Sequence, residues 1–121
     1  MSRKVLVVDD SGLARRRARS ILESAGFEVL EAEDGIAALE SYFVTKPDLV
    51  LLDLVMKGMY GLEVLQRLRE MDPEARVIVV SADVQTSSHE LVAQGGAVGF
   101  LVKPVDPTEV LTLVRSTLGV S

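Results

Sequence analysis

The sequence predicts an α/β fold, a parallel sheet with helices on both faces. Short apolar runs at residues 5–8, 49–52, 77–80 and 100–102 are rich in Val, Ile and Leu and do not strictly alternate with polar residues, as suits strands buried on both faces. Segments with helical spacing separate these runs, so that strand and helix patterns alternate five times along the chain. At 121 residues the chain has the length of one domain, 1–121, which can bury a core without staples.

The first run leads into a helix over 13–25, whose apolar residues Ala14, Ala18, Ile21, Leu22 and Ala25 share one face. Gly26 follows as its C-terminal cap. A more polar run, 28–32, predicts an edge strand. The spacing of Ile36, Leu39 and Phe43 marks a second helix, and that of Leu62, Leu65 and Leu68 a third. Residues 87–94 form a weaker helix, because Thr86-Ser87-Ser88 has low helix propensity. The last helix is signposted by Asp106 as cap, Pro107 in the first turn and Glu109 at capping-box spacing. Val110, Leu111, Val114 and Leu118 form its buried stripe, and Leu113 lies off it. Right-handed crossovers between parallel strands then place helices on each side of the sheet.

Composition narrows the function. The absence of cysteine excludes disulfides, thiolate metal sites and a cysteine nucleophile, and fits a reducing compartment. A formal net charge of −5 gives no affinity for a phosphate backbone, so direct nucleic-acid binding is not expected. No apolar run approaches the ~20 residues of a membrane span. The run after Ser2-Arg3-Lys4 is too short for a signal peptide, which makes the cytoplasm the expected location.

The residues at the end of each apolar run carry the chemistry. Asp9-Asp10 come after the first, Asp53 after the run at 49–52, Ser81 after the run at 77–80 and Lys103 after the run at 100–102. The carboxyl ends of parallel strands share one edge, where ligands bind, so these residues converge. Crowded carboxylates repel, and some protonate unless a cation sits among them. A few hard oxygen ligands with room for water and phosphate oxygens suit Mg2+. A facing lysine adds a point charge for a phosphoryl oxygen, and a serine hydroxyl donates to another. That is the equipment of phosphoryl transfer, in which a carboxylate can be the nucleophile and form an aspartyl phosphate.

With these residues in this order, the chain resembles the CheY-like receiver domains of two-component response regulators over essentially its full length. Asp9-Asp10, the loop from Asp53-Leu54-Val55 through Met56-Lys57-Gly58-Met59-Tyr60-Gly61, Ser81-Ala82 and Lys103-Pro104 carry the resemblance, each at a strand end. It implies a flavodoxin-like, doubly wound five-stranded parallel sheet of order 2-1-3-4-5 with five helices. It implies that Asp53 accepts a phosphoryl group from a histidine kinase or phosphotransfer protein. Asp10, Asp53 and the backbone carbonyl of Val55 are implied as direct Mg2+ ligands, with Asp9 acting through a water. Lys103 is implied to bridge to the phosphoryl group, Ser81 to move toward it and Phe100 to turn inward behind it. The surface of the fourth helix, fifth strand and fifth helix then changes and regulates an output partner. A cis Lys103-Pro104 peptide belongs to the same resemblance. Catalysis is expected only of the protein's own phosphorylation and slow autodephosphorylation, so the protein is not read as an enzyme.

Some positions depart from the family's habit. Lys57 stands where proline is common, which loosens the loop after Asp53. Val55 replaces a frequent polar side chain, which leaves its carbonyl for the metal but alters water access and phosphoryl lifetime. Phe100 has no hydroxyl, so its switching rests on packing. Val98-Gly99 replaces an acidic pair typical of a DNA-binding subfamily, so that subfamily's dimer pattern is not implied; a monomer or weak dimer is expected.

Blander readings stand beside these. Asp9-Asp10 taken alone would be a helix cap. Arg15, Arg16, Arg17 and Arg19 form either a solvated helix face or a docking surface for a kinase. His89 reads as a surface residue, and Met56 and Met59 as packing. Leu113 is either an ordinary exposed leucine or part of an output surface. Competing functions are a small Mg2+-dependent phosphatase with an aspartate nucleophile, a flavodoxin-like nucleotide or flavin binder, and a receiver fragment of a larger transcription factor. The phosphatase usually needs a second Asp two residues after the first, where Val55 stands. The nucleotide or flavin binder needs a phosphate loop less acidic than Asp9-Asp10-Ser11-Gly12.

Overall fold

The computed structural model describes residues 3–82 and 86–120, with residues 86–89 followed in their backbone course only. Strands β1 (Lys4–Val8), β2 (Glu28–Ala32), β3 (Leu49–Asp53), β4 (Val77–Ser81) and β5 (Gly99–Val102) alternate with helices α1 (Gly12–Ser24), α2 (Gly35–Thr45), α3 (Gly61–Met71), α4 (Thr86–Gln94) and α5 (Pro107–Leu118). All strand pairings are parallel, in the order β2-β1-β3-β4-β5. This is the flavodoxin-like order implied by the resemblance, with the polar run at 28–32 on an edge.

The non-alternating strands are buried on both faces, and residue parity assigns each side chain to one of two cores. Leu6, Val8, Val50, Leu52, Val77 and Val79 pack with Ala38, Val64, Leu68 and Val92 of α2, α3 and α4. Val5, Val7, Leu49, Leu51, Ile78 and Val80 pack with Ala18, Leu22, Val110 and Val114 of α1 and α5. The other edge strand, β5, turns its Leu101 to the α1–α5 side and its Phe100 to the opposite one.

Local signals account for most boundaries. Ser11 caps α1 by accepting from the Ala14 N–H, one residue earlier than the apolar spacing suggests. Gly26 ends this helix with a left-handed φ of +92°, and the Phe27 N–H reaches back to the Leu22 carbonyl. Asp106 caps α5 through the Glu109 N–H, with Pro107 in the first turn. Lys103-Pro104 is cis.

Two readings need correction. In α2 the buried face is Gly35, Ala38 and Tyr42, while Ile36 and Phe43 are 55% and 70% exposed. The reason is close packing against α3: a Cβ on Gly35 would lie 2.8 Å from Val64 Cγ2 and 2.9 Å from Met59 Cβ. The first turns of α2 therefore face inward with small residues, Gly35 and Ala38, and leave Ile36 outside. Leu113 is half-buried and packs on the α1–α5 core, with its Cδ2 2.9 Å from where a Cβ on Gly99 would stand. The arginines of α1 lie at the surface, as expected, but three of them have partners there. Arg15 and Arg19 both pair with Glu31 of β2, and Arg17 donates to the Val105 carbonyl at 2.9 Å. The packing roles expected of Met56 and Met59 hold. The His89 side chain lies outside the described residues.

Candidate functional site

Register and parity build the site. Val8 pairs with Leu52, Asp53 with Val80 and Ser81 with Val102, so the ends of β1, β3, β4 and β5 are level. Continuing the alternation past Val7, Leu51 and Leu101 puts Asp9, Asp53 and Lys103 on the α1–α5 side. Ser81 and Phe100 have the opposite parity and share the α2–α4 side. Phe100 pairs with Val79, which makes Ser81 its diagonal neighbour on that face.

The acidic residues meet. One carboxylate oxygen from each of Asp9, Asp10 and Asp53 lies within 4.8 Å of the others. Asp9 and Asp53 are buried, and Asp10 is exposed. The Lys103 ammonium does not face them across a gap but touches two of them, 2.8 Å from Asp9 Oδ2 and 3.3 Å from Asp53 Oδ2. Ser81 is buried at the end of β4, and the half-buried Phe100 packs against the α2–α4 core. Val55 is exposed just past Asp53, and its N–H is 3.4 Å from Asp53 Oδ1.

The loops are held from several sides. The Ser11 N–H donates to Asp9 Oδ1 at 2.9 Å, and the Lys57 N–H donates to Asp10 Oδ2 at 3.3 Å. Arg15 donates to the Asp9 carbonyl at 2.6 Å while its Nε holds Glu31 at 3.0 Å. Sequence reading missed this role of Arg15, because its partner lies on another strand. It named Gly61 only as the end of the loop after Asp53 and missed its packing role, where α3 begins against that loop. A Cβ there would lie 2.6 Å from the Asp53 carbonyl oxygen and 2.6 Å from the Leu54 Cα, so only glycine permits the approach.

The electrostatics follow from burial. Burial, and then the Asp9 carboxylate, push the Asp53 carboxyl up to about 6, against the Lys103 charge and the Val55 N–H, which favour the ionised form. Burial lowers the Lys103 ammonium, but bonding to Asp9 and the charges of Asp53 and Asp9 outweigh it and raise the group overall. One lysine charge does not balance three carboxylates. Hard oxygen donors, few in number and open on the Asp10 side, fit a small divalent cation.

A family model described as response regulator receiver domain matches residues 5–115. Chemotaxis protein CheY of Bacillus subtilis (strain 168) is 40% identical over 120 residues, 98% of this chain and 100% of that protein. Sporulation initiation phosphotransferase F of the same organism is 34% identical over 122 residues, 98% of this chain and 95% of that protein. Among solved structures, a CheX–CheY–BeF3–Mg2+ complex from Borrelia burgdorferi matches with a TM-score of 0.91 at 36% identity, covering 94% of this chain and 87% of that one. A family match that enters at β1 and leaves within α5 takes in every strand end described above, and the chain belongs to the response regulator receiver domain family.

Proposed function

We propose that residues 1–121 act as a single receiver unit of a two-component phosphorelay, with Asp53 as phosphoacceptor. The observation that carries this is the nest of three carboxylates at the strand ends, with Asp53 buried at its base and Lys103 against it. An Asp53 oxygen attacks phosphorus, the P–N bond to the phosphohistidine of a histidine kinase or phosphotransfer protein breaks, and the imidazole leaves with a proton. Mg2+, held by Asp10, Asp53 and the Val55 carbonyl with Asp9 acting through a water, would offset the charge on the phosphoryl oxygens. Lys103 moves its ammonium from the carboxylates to a phosphoryl oxygen. The Ser81 hydroxyl donates to another, and Phe100, its diagonal neighbour, turns inward.

The altered surface of α4, β5 and α5 is then read by an output protein. Exposed Leu91, Val98 and Val102 give that surface an apolar character suited to a partner. The reading draws support from relatives: a chemotaxis protein, a sporulation phosphotransferase, and a Borrelia CheY bound to CheX with BeF3 and Mg2+. A cytoplasmic regulator that is a monomer or weak dimer accords with this reading, and catalysis is confined to its own phosphorylation and slow dephosphorylation. No helix among the described residues is long and apolar enough to cross a membrane.

Incubation with acetyl phosphate and Mg2+, read by intact-protein mass spectrometry, tests the assignment. The wild-type chain takes up one phosphoryl group, and Asp53→Asn takes up none. Labelling of the variant at the wild-type rate and stoichiometry would exclude Asp53.

A further inference from the structure

A cavity of about 450 Å3 lies between α1, α5 and the sheet, within the size range of small-molecule sites. Its floor is Val7, Leu51 and Val80, all on the α1–α5 face. The space exists because α1 turns Ala14 and Ala18 toward it, whereas one turn further on Leu22 is fully buried in the core. Leu13, 72% exposed, stands at its edge.

Charge sets the orientation of an occupant. At the inner end Asp9 and Asp53 are engaged by Lys103, and their carboxylates repel an anionic head. Arg17 also lines the cavity. Its guanidinium donates to the Val105 carbonyl, and it has no carboxylate within 4 Å among the described residues.

We propose that this cavity binds a small amphipathic anion, a medium-chain carboxylate, with its head at Arg17 and its chain along Val7, Leu51 and Val80. The alanines of α1 leave room for the chain, and the rim arginine matches the head. Binding itself does not depend on the role proposed for Asp53.

Titration of the full chain with sodium octanoate below its micelle concentration, at constant ionic strength, followed by amide and methyl NMR, tests this. Saturable shifts are expected at Val7, Leu51, Val80 and Val110. Ala14→Leu, which fills the space, is expected to weaken binding about tenfold or more. Arg17→Gln is expected to weaken octanoate by roughly two- to fivefold, the value of an exposed ion pair, and to leave neutral 1-octanol unchanged. Shifts that do not saturate, or that map to α4 and β5, overturn the proposal. So does equal binding by Ala14→Leu, or equal weakening of octanoate and octanol by Arg17→Gln. If Ala14→Leu fails to fold, the wild-type shift map and the arginine comparison decide.

Discussion

The two faces of the sheet are made from the same strands yet differ in how they are filled. On the α2–α4 side, Leu52, Leu65 and Leu68 are fully buried, and even glycine and alanine of α2 are pressed against α3. On the α1–α5 side, alanines leave a cavity that runs up to Asp9, Asp53 and Lys103. Parity divides the strand-end residues the same way, Asp9, Asp53 and Lys103 on the open side, Ser81 and Phe100 on the packed side. A shift of one residue along a strand thus decides whether a side chain meets the acidic nest or the core behind it.

Substitutions across one strand should break or sharpen this contrast. The largest effect is expected for Leu52→Ala, about 2–5 kcal/mol by urea unfolding, because the packed side cannot collapse around a hole. Leu51→Ala, next to existing empty space, should cost about 1 kcal/mol less; equal losses would mean that the faces are equally tight. Gly61→Ala follows, with a loss of about 2–3 kcal/mol, since the new methyl meets backbone atoms that cannot move aside.

A third effect belongs to the open side. A carboxyl raised from 3.8 to about 6 keeps a proton in the folded state that the unfolded chain has released, so stability falls as pH rises through that window. Without divalent ions, Asp53→Asn should therefore be more stable than wild type above pH 6, by about 1–3 kcal/mol, and the gain should vanish below about pH 4. Thermal melts at several pH values check this, and a variant less stable at pH 8 would contradict it. The smallest effect is expected for Arg15→Ala, about 1 kcal/mol, with weaker Mg2+ binding in an NMR titration because the Asp9 carbonyl loses its tether. Arg15→Lys should recover part of each.

The strands, the caps at Gly26 and Asp106 and every residue of the acidic nest were legible in the sequence. The face of α2 was not. Periodicity weighted by hydrophobicity selects Ile36 and Phe43, but the distance between α2 and α3 is set by small side chains, which such weighting discounts. Arg15 was illegible for another reason: its two partners, the Asp9 carbonyl and Glu31, are brought together only by the pairing of β1 with β2.

Gly61 has a mechanical consequence. The Leu54 N–H is tied to the Val80 carbonyl, the Gly61 N–H is tied to the Leu54 carbonyl, and the start of α3 rests directly on the peptide that leaves Asp53. Asp53 therefore sits on an anvil. In the role proposed for Asp53, load added to its carboxylate would meet this backing instead of a recoil of β3 and would pass sideways to the ends of β4 and β5.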